Sequence, residues 1–346
     1  MSANDRFLKA CVRDRTDRIP VWFMRQAGRY LPEYRALRER YSILEMCRTA
    51  ELACRVTLQP LERFDLDAAI IFADLLLPLQ PMGISFDFRE GEGPIIDNPI
   101  VSAADVGRLR SFEPEEALQF VLGAIRAVTG ELGGRLPLIG FAGAPFTMAS
   151  YMIEGGASRN FEKTKMFMYH QREAWHRLMD FLVRRQAAFL LAQIRAGAAA
   201  VQLFDSWLGA LGPDDFRSYV QPHTAALLRE ISGRGAPVIH FATGVSGYLE
   251  EFAASGGDVV GVDWRVDLTR ARRLLRHQAV QGNMDPACLL GPCLQLREQV
   301  QRTLQQAGTE PGYIFNLGHG ILPGTPIESV QAVVETVHAH YDMPAE

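Results

Sequence analysis

The chain has 346 residues, of which 48% are hydrophobic and 22% are charged, values typical of a soluble globular protein. The net charge of −4 argues against broad binding to nucleic acid or anionic membranes, so an anionic ligand would need a local cluster of positive charge. The five cysteines form no CxxC pair and no zinc-finger spacing, which predicts reduced cytoplasmic thiols. The polar, charged segment before Ile19 predicts no secretory signal, and charged residues interrupt the apolar stretches too often for a membrane span.

Short apolar runs recur along the chain, and most of them lead into Gly, Asp, Ser or Asn. Such runs are typical of buried strands that end at a turn. The eight runs are Ile19–Phe23, Ala68–Phe72, Leu136–Phe141, Ala199–Phe204, Val238–Phe241, Val259–Val262, Ala279–Gln281 and Ile314–Leu317.

Helical patterns lie between these runs. They are Pro114–Thr129, Thr164–Ala196 as one or two helices, Asp214–Ile231 with a kink or break at Pro222, Asp267–Arg276, and a last helix that begins at Thr325. For this last helix, Pro326 in the first turn and Glu328 as partner of Thr325 predict a capping box.

The alternation predicts an α/β fold, namely a single (β/α)8 TIM-type barrel that spans residues 1–346 as one catalytic domain. An N-terminal extension and an inserted hairpin or loop near 85–99 account for part of the extra length. A doubly wound open sheet is the alternative, disfavoured because no glycine-rich dinucleotide loop follows a strand. In a barrel, the residues that follow the strands meet at one mouth, where active sites of this fold lie.

The first run leads into a distinctive stretch, IPVWFMRQAGRYLPEYR. Arg25 and Arg29 are four residues apart, and Ala27 and Gly28 between them leave room for a ligand close to the backbone. Two neighbouring guanidinium groups predict a clamp for a carboxylate or phosphate. The alternative is two solvated arginines, one of them paired with a nearby glutamate (Glu33 or Glu51).

Four further residues are candidates for the mouth. Asp74 follows the second run between apolar residues, as a ligand acceptor, a general base or a helix cap. Tyr151 lies four residues after Thr147, which could cap its segment, and is either functional or an ordinary rim aromatic. Ser206 is either a binding hydroxyl or a cap, because its surroundings lack a GxSxG elbow. His319 stands between two glycines, as a ligand contact or a structural histidine.

The motifs resemble those of one family, the uroporphyrinogen decarboxylases. The resemblance rests on PVWFMRQAGRYLPEYR at 20–35, GFAGAPFTMASYMIEGG at 140–156, NLGHGILPGTP at 316–326, IIFADLLLPLQPMG at 70–83 and FDSW at 204–207. It implies a single (β/α)8 barrel, a cytoplasmic homodimer, and no metal or organic cofactor. The implied reaction converts uroporphyrinogen III to coproporphyrinogen III by releasing four acetate carboxylates as CO2.

The resemblance also implies roles for individual residues. The implied substrate-binding residues are Arg25, Gln26, Ala27, Gly28, Arg29, Asp74, Tyr151, Ser206 and His319. Asp74, Arg25 and Tyr151 are the implied catalytic residues, with Asp74 accepting the pyrrole N–H groups and the protonated ring acting as electron sink.

Two other functions remain possible from the sequence. A cobalamin-linked methyltransferase of the same barrel type would bind zinc through an H-x-C pair, but the fifth run reads His240, Phe241, Ala242 and lacks the thiolate. A non-catalytic tetrapyrrole-binding protein would keep the arginines without turnover. We interpret His240 itself as a hydrogen-bonded core histidine.

Overall fold

The fold is described from a computed structural model, which covers residues 3–89 and 93–340. The strands within these residues are β1 (Ala69–Ile70), β2 (Phe86–Arg89), β3 (Gly93–Ile96), β4 (Leu138–Gly143), β5 (Ala200–Asp205), β6 (Val238–Ala242), β7 (Val259–Gly261), β8 (Ala279–Met284) and β9 (Tyr313–Leu317). Seven of them form one parallel sheet in the order β1-β4-β5-β6-β7-β8-β9. The predicted parallel α/β architecture is confirmed.

The helices flank this sheet, and the described part of the chain contains none long and apolar enough to cross a membrane. They are α1 (Ala3–Cys11), α2 (Pro32–Arg38), α3 (Ile43–Arg48), α4 (Ala50–Arg63), α5 (Ala103–Gly107), α6 (Pro114–Ala117), α7 (Gln119–Leu132), α8 (Pro145–Glu154), α9 (Glu162–His170), α10 (Arg172–Ala196), α11 (Pro213–Asp215), α12 (Gln221–Ile231), α13 (Leu249–Ala253), α14 (Leu268–Leu274), α15 (Cys293–Ala307) and α16 (Ile327–Ala339). A π-helical segment at Phe216–Val220 lies between α11 and α12, so the regular α-helix is interrupted just before Pro222 although the helical stretch continues.

The first predicted run, Ile19–Phe23, joins the two ends of the sheet. On one side, a parallel bridge pairs Val21 with Phe315 of β9. On the other, the backbone N–H of Asp67 donates to the Val21 carbonyl at 2.9 Å, and the Val21 N–H donates to the Asp67 carboxylate at 2.8 Å. The barrel therefore closes through a seam between the first run and the segment before β1. Of the two hydrogen bonds that join Val21 to Asp67 in this seam, one is made by the Asp67 side chain.

Gln26 extends the same seam toward the mouth. Its buried side chain accepts from the Phe23 N–H at 3.1 Å and donates to the Ala68 carbonyl at 3.2 Å. These bonds bridge the chain after the first run to the chain just before β1. This structural role of Gln26 was not predicted from the sequence.

A charged cluster supports the seam at the base of the barrel. The buried Arg6 on α1 forms ion pairs with Asp67 and, at 2.6 Å, with Asp17. Arg18 and His338 of α16 also approach the Asp67 carboxylate, at 3.4 and 3.3 Å. Hydrogen bonds and nearby cations hold the pKa of Asp67 below its usual range although burial opposes this. The N-terminal extension therefore closes the bottom of the barrel and stabilises the Asp67 charge.

Polar side chains cross the barrel interior above this base. The Trp22 indole N–H donates to Gln281 at 2.9 Å, and Gln281 donates to Gln202 at 3.1 Å. All three side chains are buried, so each bond offsets the cost of removing a polar group from water. The chain links the first run to β8 and β5 beneath the mouth.

Several local predictions need correction. The predicted 114–129 helix is divided at Leu118, while the long 164–196 segment is indeed two helices separated at Gln171. The predicted capping box at Thr325 is wrong, because Pro326 takes the N-cap position and makes no side-chain cap bond. The insert near 85–99 contains the antiparallel pair β2–β3, whose connecting residues 90–92 lie outside the described residues.

Substitution of Asp67 tests the seam. We expect Asp67→Asn to lower the free energy of unfolding by about 3–5 kcal/mol, because the buried Arg6 would keep only the partly exposed Asp17 as its counter-charge. Urea unfolding followed by circular dichroism measures this. Glu298→Gln, which removes an exposed pair with Arg302, is the matched control and should cost about 0–1 kcal/mol. Equal losses in the two variants would show that the seam does not depend on the Asp67 charge.

Candidate functional site at the barrel mouth

The predicted site residues follow the carboxyl ends of strands on different sides of the barrel. Arg25 follows the first run, Asp74 follows β1, Ser206 follows β5 and His319 follows β9, while Tyr151 lies on the helix after β4. Because parallel strands all point the same way, these ends share one rim. The geometry places the predicted residues around one mouth.

Arg25 and Arg29 are both exposed at this rim. Among the described residues, no carboxylate lies within salt-bridge distance of either guanidinium group, and Glu33 is paired with Arg63 instead. The suggested pairing with Glu33 is therefore wrong. Two unpaired cations are available to an anionic ligand.

The loop that carries these arginines has a fixed conformation. Arg25 has a φ of 60°, in the left-handed region that non-glycine residues rarely occupy. The Tyr30 hydroxyl donates to the Gln26 carbonyl at 2.7 Å and closes the turn. A side chain at Gly320 would collide with the methylene groups of Arg25, so glycine there allows Arg25 to lie across the His319 loop. Strain of this kind is typical of functional sites.

The other loop residues differ in what they offer a ligand. Ala27 and Gly28 are partly exposed, so a ligand can approach the backbone there. A Cβ at Gly28 would lie 3.1 Å from the Arg25 carbonyl oxygen, closer than most such contacts. The Gln26 side chain is buried in the seam, so its predicted contact with a ligand remains a prediction.

Asp74 lies among apolar side chains but keeps some exposure. Its carboxylate accepts from the Leu76 N–H at 2.9 Å within a turn. The short 3-10 helix that follows, Leu77–Leu79, has Leu76 at its N-cap, so the helix-cap alternative for Asp74 is wrong. Burial raises the pKa of Asp74, while the Leu76 N–H and the charge of Arg25 lower it. Its second oxygen forms no hydrogen bond within the described residues, so Asp74 can accept N–H groups from a ligand.

Tyr151 lies on α8, and its ring packs edge-on against Trp207 at 5.8 Å. Burial and the charge of Asp74 raise the pKa of Tyr151 to about 12, while Arg25 lowers it. The hydroxyl therefore remains protonated at neutral pH and can donate a hydrogen bond. These mutual effects place Arg25, Asp74 and Tyr151 in one electrostatic neighbourhood.

Thr147 does not cap α8 as predicted, because it lies inside the helix. Its hydroxyl donates to the Asp205 carboxylate at 2.9 Å, and the Trp207 N–H donates to Thr147 at 3.4 Å. Asp205 is fully buried beneath the rim, and burial raises its pKa to about 7. The partly exposed Ser206 next to it accepts from the Thr243 hydroxyl through its carbonyl at 2.7 Å.

His319 is partly exposed between Gly318 and Gly320. Burial and the positive charge of Arg25 lower the pKa of His319.

His240 differs from the prediction: it is buried, but neither ring nitrogen has a partner within the described residues, and burial lowers its pKa to about 3. It packs 4.0 Å from the ring of Phe252 and takes no part in the mouth.

An aromatic floor was missed in the sequence. Phe141 and Phe204 lie near the carboxyl ends of β4 and β5, face the barrel interior and remain partly exposed. Their rings pack edge-on at 5.6 Å, and Phe204 packs against Phe241 at 5.7 Å. In the sequence, Phe141 and Phe204 alternate with outward-facing residues along their strands, which could have indicated an inward-facing aromatic surface. Apolar residues at strand ends are, however, too common to indicate a ligand surface.

The fold and mouth define a TIM-barrel protein whose rim carries two exposed arginines and a carboxylate above an apolar floor. Within the described ranges, no three His, Cys, Asp or Glu side chains gather in a way that could hold a metal ion. This combination suits a ligand that carries anionic groups on an apolar body.

Comparison with known proteins specifies the class further. A family model described as uroporphyrinogen decarboxylase (URO-D) matches residues 2–340. Uroporphyrinogen decarboxylases from Solibacter usitatus and Sorangium cellulosum are 54% and 53% identical to the chain, over 96% and 97% of it and 96% of each relative. The chain belongs to the uroporphyrinogen decarboxylase family.

A solved structure supports the fold. A methyltransferase from Methanosarcina mazei superposes with a TM-score of 0.80, and the match covers 99% of both chains at 19% identity. At this identity the likeness concerns the barrel alone.

The electrostatic contact between Arg25 and His319 can be tested without a ligand. We expect Arg25→Gln to raise the pKa of His319 toward its ordinary value, because the variant removes a nearby positive charge. An NMR titration of the His319 ring measures this. Arg29→Gln serves as the control, because it removes the same charge and Arg29 is not among the groups that shift the pKa of His319. An unchanged titration in Arg25→Gln would place Arg25 away from His319.

Proposed function

We propose that this chain is a uroporphyrinogen decarboxylase, which removes the four acetate carboxylates of uroporphyrinogen III as CO2 and releases coproporphyrinogen III. One observation carries the proposal: the mouth of a chain of this family carries two exposed arginines, Arg25 and Arg29, and the charge of Arg25 acts on the Asp74 carboxyl group. The substrate has matching chemistry, with eight carboxylates on its rim and four pyrrole N–H groups at its centre.

Each group of the substrate has a counterpart at the mouth. Arg25 and Arg29 bind rim carboxylates through charge-assisted hydrogen bonds, worth about 1.5–3 kcal/mol each. Asp74 accepts the pyrrole N–H groups, and these donors lower its raised pKa and keep it ionised. Tyr151, Ser206 and His319 complete the polar contacts, together with the backbone at Gln26–Gly28. Phe141 and Phe204 support the macrocycle from below.

The ring itself serves as the electron sink. Protonation of the pyrrole carbon beside an acetate makes the ring cationic, and CO2 leaves as the electrons of its C–C bond neutralise that charge. Protonation of the exocyclic carbon and loss of the added ring proton then leave a methyl group on an aromatic pyrrole. The ionised Asp74 stabilises the cationic intermediates. The first proton comes from Arg25 or from a water molecule that it holds, with Tyr151 and His319 as the other candidates.

The assembly and location follow the same proposal. The chain acts as one catalytic domain, works as a homodimer and resides in the cytoplasm. Light scattering on purified protein would report twice the 38.5 kDa chain mass for the dimer. The methyltransferase alternative is not favoured, since Ala242 stands where that chemistry needs a thiolate.

The direct test of turnover is an anaerobic incubation with uroporphyrinogen III in the presence of EDTA and without added cofactor. Oxidation and separation of the products by carboxylate number should reveal a series from eight down to four. Intact substrate bound to folded protein, without CO2 release, would instead support the non-catalytic binding protein.

Asp74→Asn tests the role of the central carboxylate. The amide oxygen can still accept from the Leu76 N–H, so we expect the fold to be kept. The rate should fall by about 10²–10³-fold, because a charge that stabilises the cationic ring is lost. Single-turnover CO2 release measures the rate, and Asp65→Asn, an exposed change at the base of the barrel, is the control. A near-normal rate in Asp74→Asn would contradict the mechanism.

A further inference from the structure

A third arginine stands on the rim after β7. Asp263, Trp264 and Arg265 follow this strand, and the Arg265 side chain is 53% exposed. Arg265 was not among the site residues predicted from the sequence. Its only signal was the position of an arginine just beyond a strand end.

The Arg265 side chain is held in one direction. Its Nη1 donates to the Asp263 carboxylate at 2.6 Å, and its guanidinium carbon lies 4.5 Å from the centre of the Trp264 ring. Asp263 is fully buried and is itself fixed by the Gly244 N–H at 2.9 Å and the Arg265 backbone N–H at 3.2 Å. Such support reduces the entropy that Arg265 would lose on binding a ligand.

The guanidinium group keeps binding capacity. Of its five N–H donors, only one is engaged by protein within residues 3–89 and 93–340. The remaining donors sit on an exposed, oriented group. An arginine that served only to neutralise Asp263 would not need this exposure.

His319 connects Arg265 to the mouth. A Cβ at Gly318 would lie 2.6 Å from the Trp264 nitrogen and 2.9 Å from the Asp263 Cα, so the His319 loop packs directly on the segment that carries Arg265. Arg25 covers the other end of this loop at Gly320. His319 therefore lies between two cations.

We propose that Arg265 is a further substrate-binding residue, which binds a rim carboxylate of the tetrapyrrole on the β7–β9 side of the mouth. This inference rests on the proposed function. Eight carboxylates surround the macrocycle, so Arg25 and Arg29 on one side of the mouth leave others without a protein cation. Arg265 supplies a cation across the His319 loop.

The test compares Arg265→Gln with Arg265→Lys and with Arg276→Gln. Arg276 is exposed after α14, toward the start of β8 and hence the base of the barrel, so its substitution removes the same charge far from the rim. We expect Arg265→Gln to raise KM for uroporphyrinogen about tenfold and leave kcat within about twofold, because the contact is equal in ground and transition states. Arg265→Lys should recover part of the loss, and Arg276→Gln should match the unsubstituted protein.

A second readout separates this inference from the proposed function. Equilibrium binding of oxidised uroporphyrin, which keeps the eight carboxylates without reacting, should weaken about tenfold in Arg265→Gln whether or not the protein turns over substrate. Equal KM and affinity in Arg265→Gln and Arg276→Gln would overturn the inference. So would a fall in kcat and melting temperature at unchanged KM, because Arg265 would then only support Asp263.

Discussion

Two hydrogen bonds between Val21 and Asp67 hold the first run against the start of β1, and the mouth depends on them. The run meets β9 through a single bridge, so regular strand pairing contributes little to its position. A buried carboxylate replaces the missing pairing, and Arg6 replaces the solvation that this carboxylate loses. The arginine loop begins only four residues after Val21. Any slip of the run would move Arg25 away from Asp74 and His319.

The mouth combines positive charge at the rim with low polarity below it. Arg25 affects the pKa of Asp74, Tyr151 and His319, so it acts as the electrostatic centre of the site. The charge of Arg25 only partly offsets the cost of burying the Asp74 carboxylate, and within the described residues Arg25 forms no ion pair, until an anionic ligand with N–H donors arrives. Binding then satisfies both groups together, which favours a molecule that carries anions at its edge and donors at its centre.

The sequence predicted the strands well because buried parallel strands are continuous apolar runs, and even the weak run at Ala279–Gln281 became β8. It also predicted the position of Arg25 and Asp74 at the mouth, because polar residues after such runs meet there, while their contact with a ligand stays a prediction. Features that depend on tertiary partners were missed. The Thr325 cap failed because Pro326 took its place, and His240 has no hydrogen-bond partner within the described residues despite the expectation of one. Gln26 is held by Phe23 and Ala68, and the second of these contacts cannot be seen in local sequence.

In the proposed mechanism the macrocycle binds at this mouth with its pyrrole nitrogens on Asp74. A crystal structure of the protein with coproporphyrinogen III, prepared without oxygen, tests this most directly. We expect pyrrole nitrogens about 3 Å from the Asp74 carboxylate and a rim carboxylate against Arg25. A product bound outside the barrel mouth, or with its nitrogens turned away from Asp74, would contradict the account.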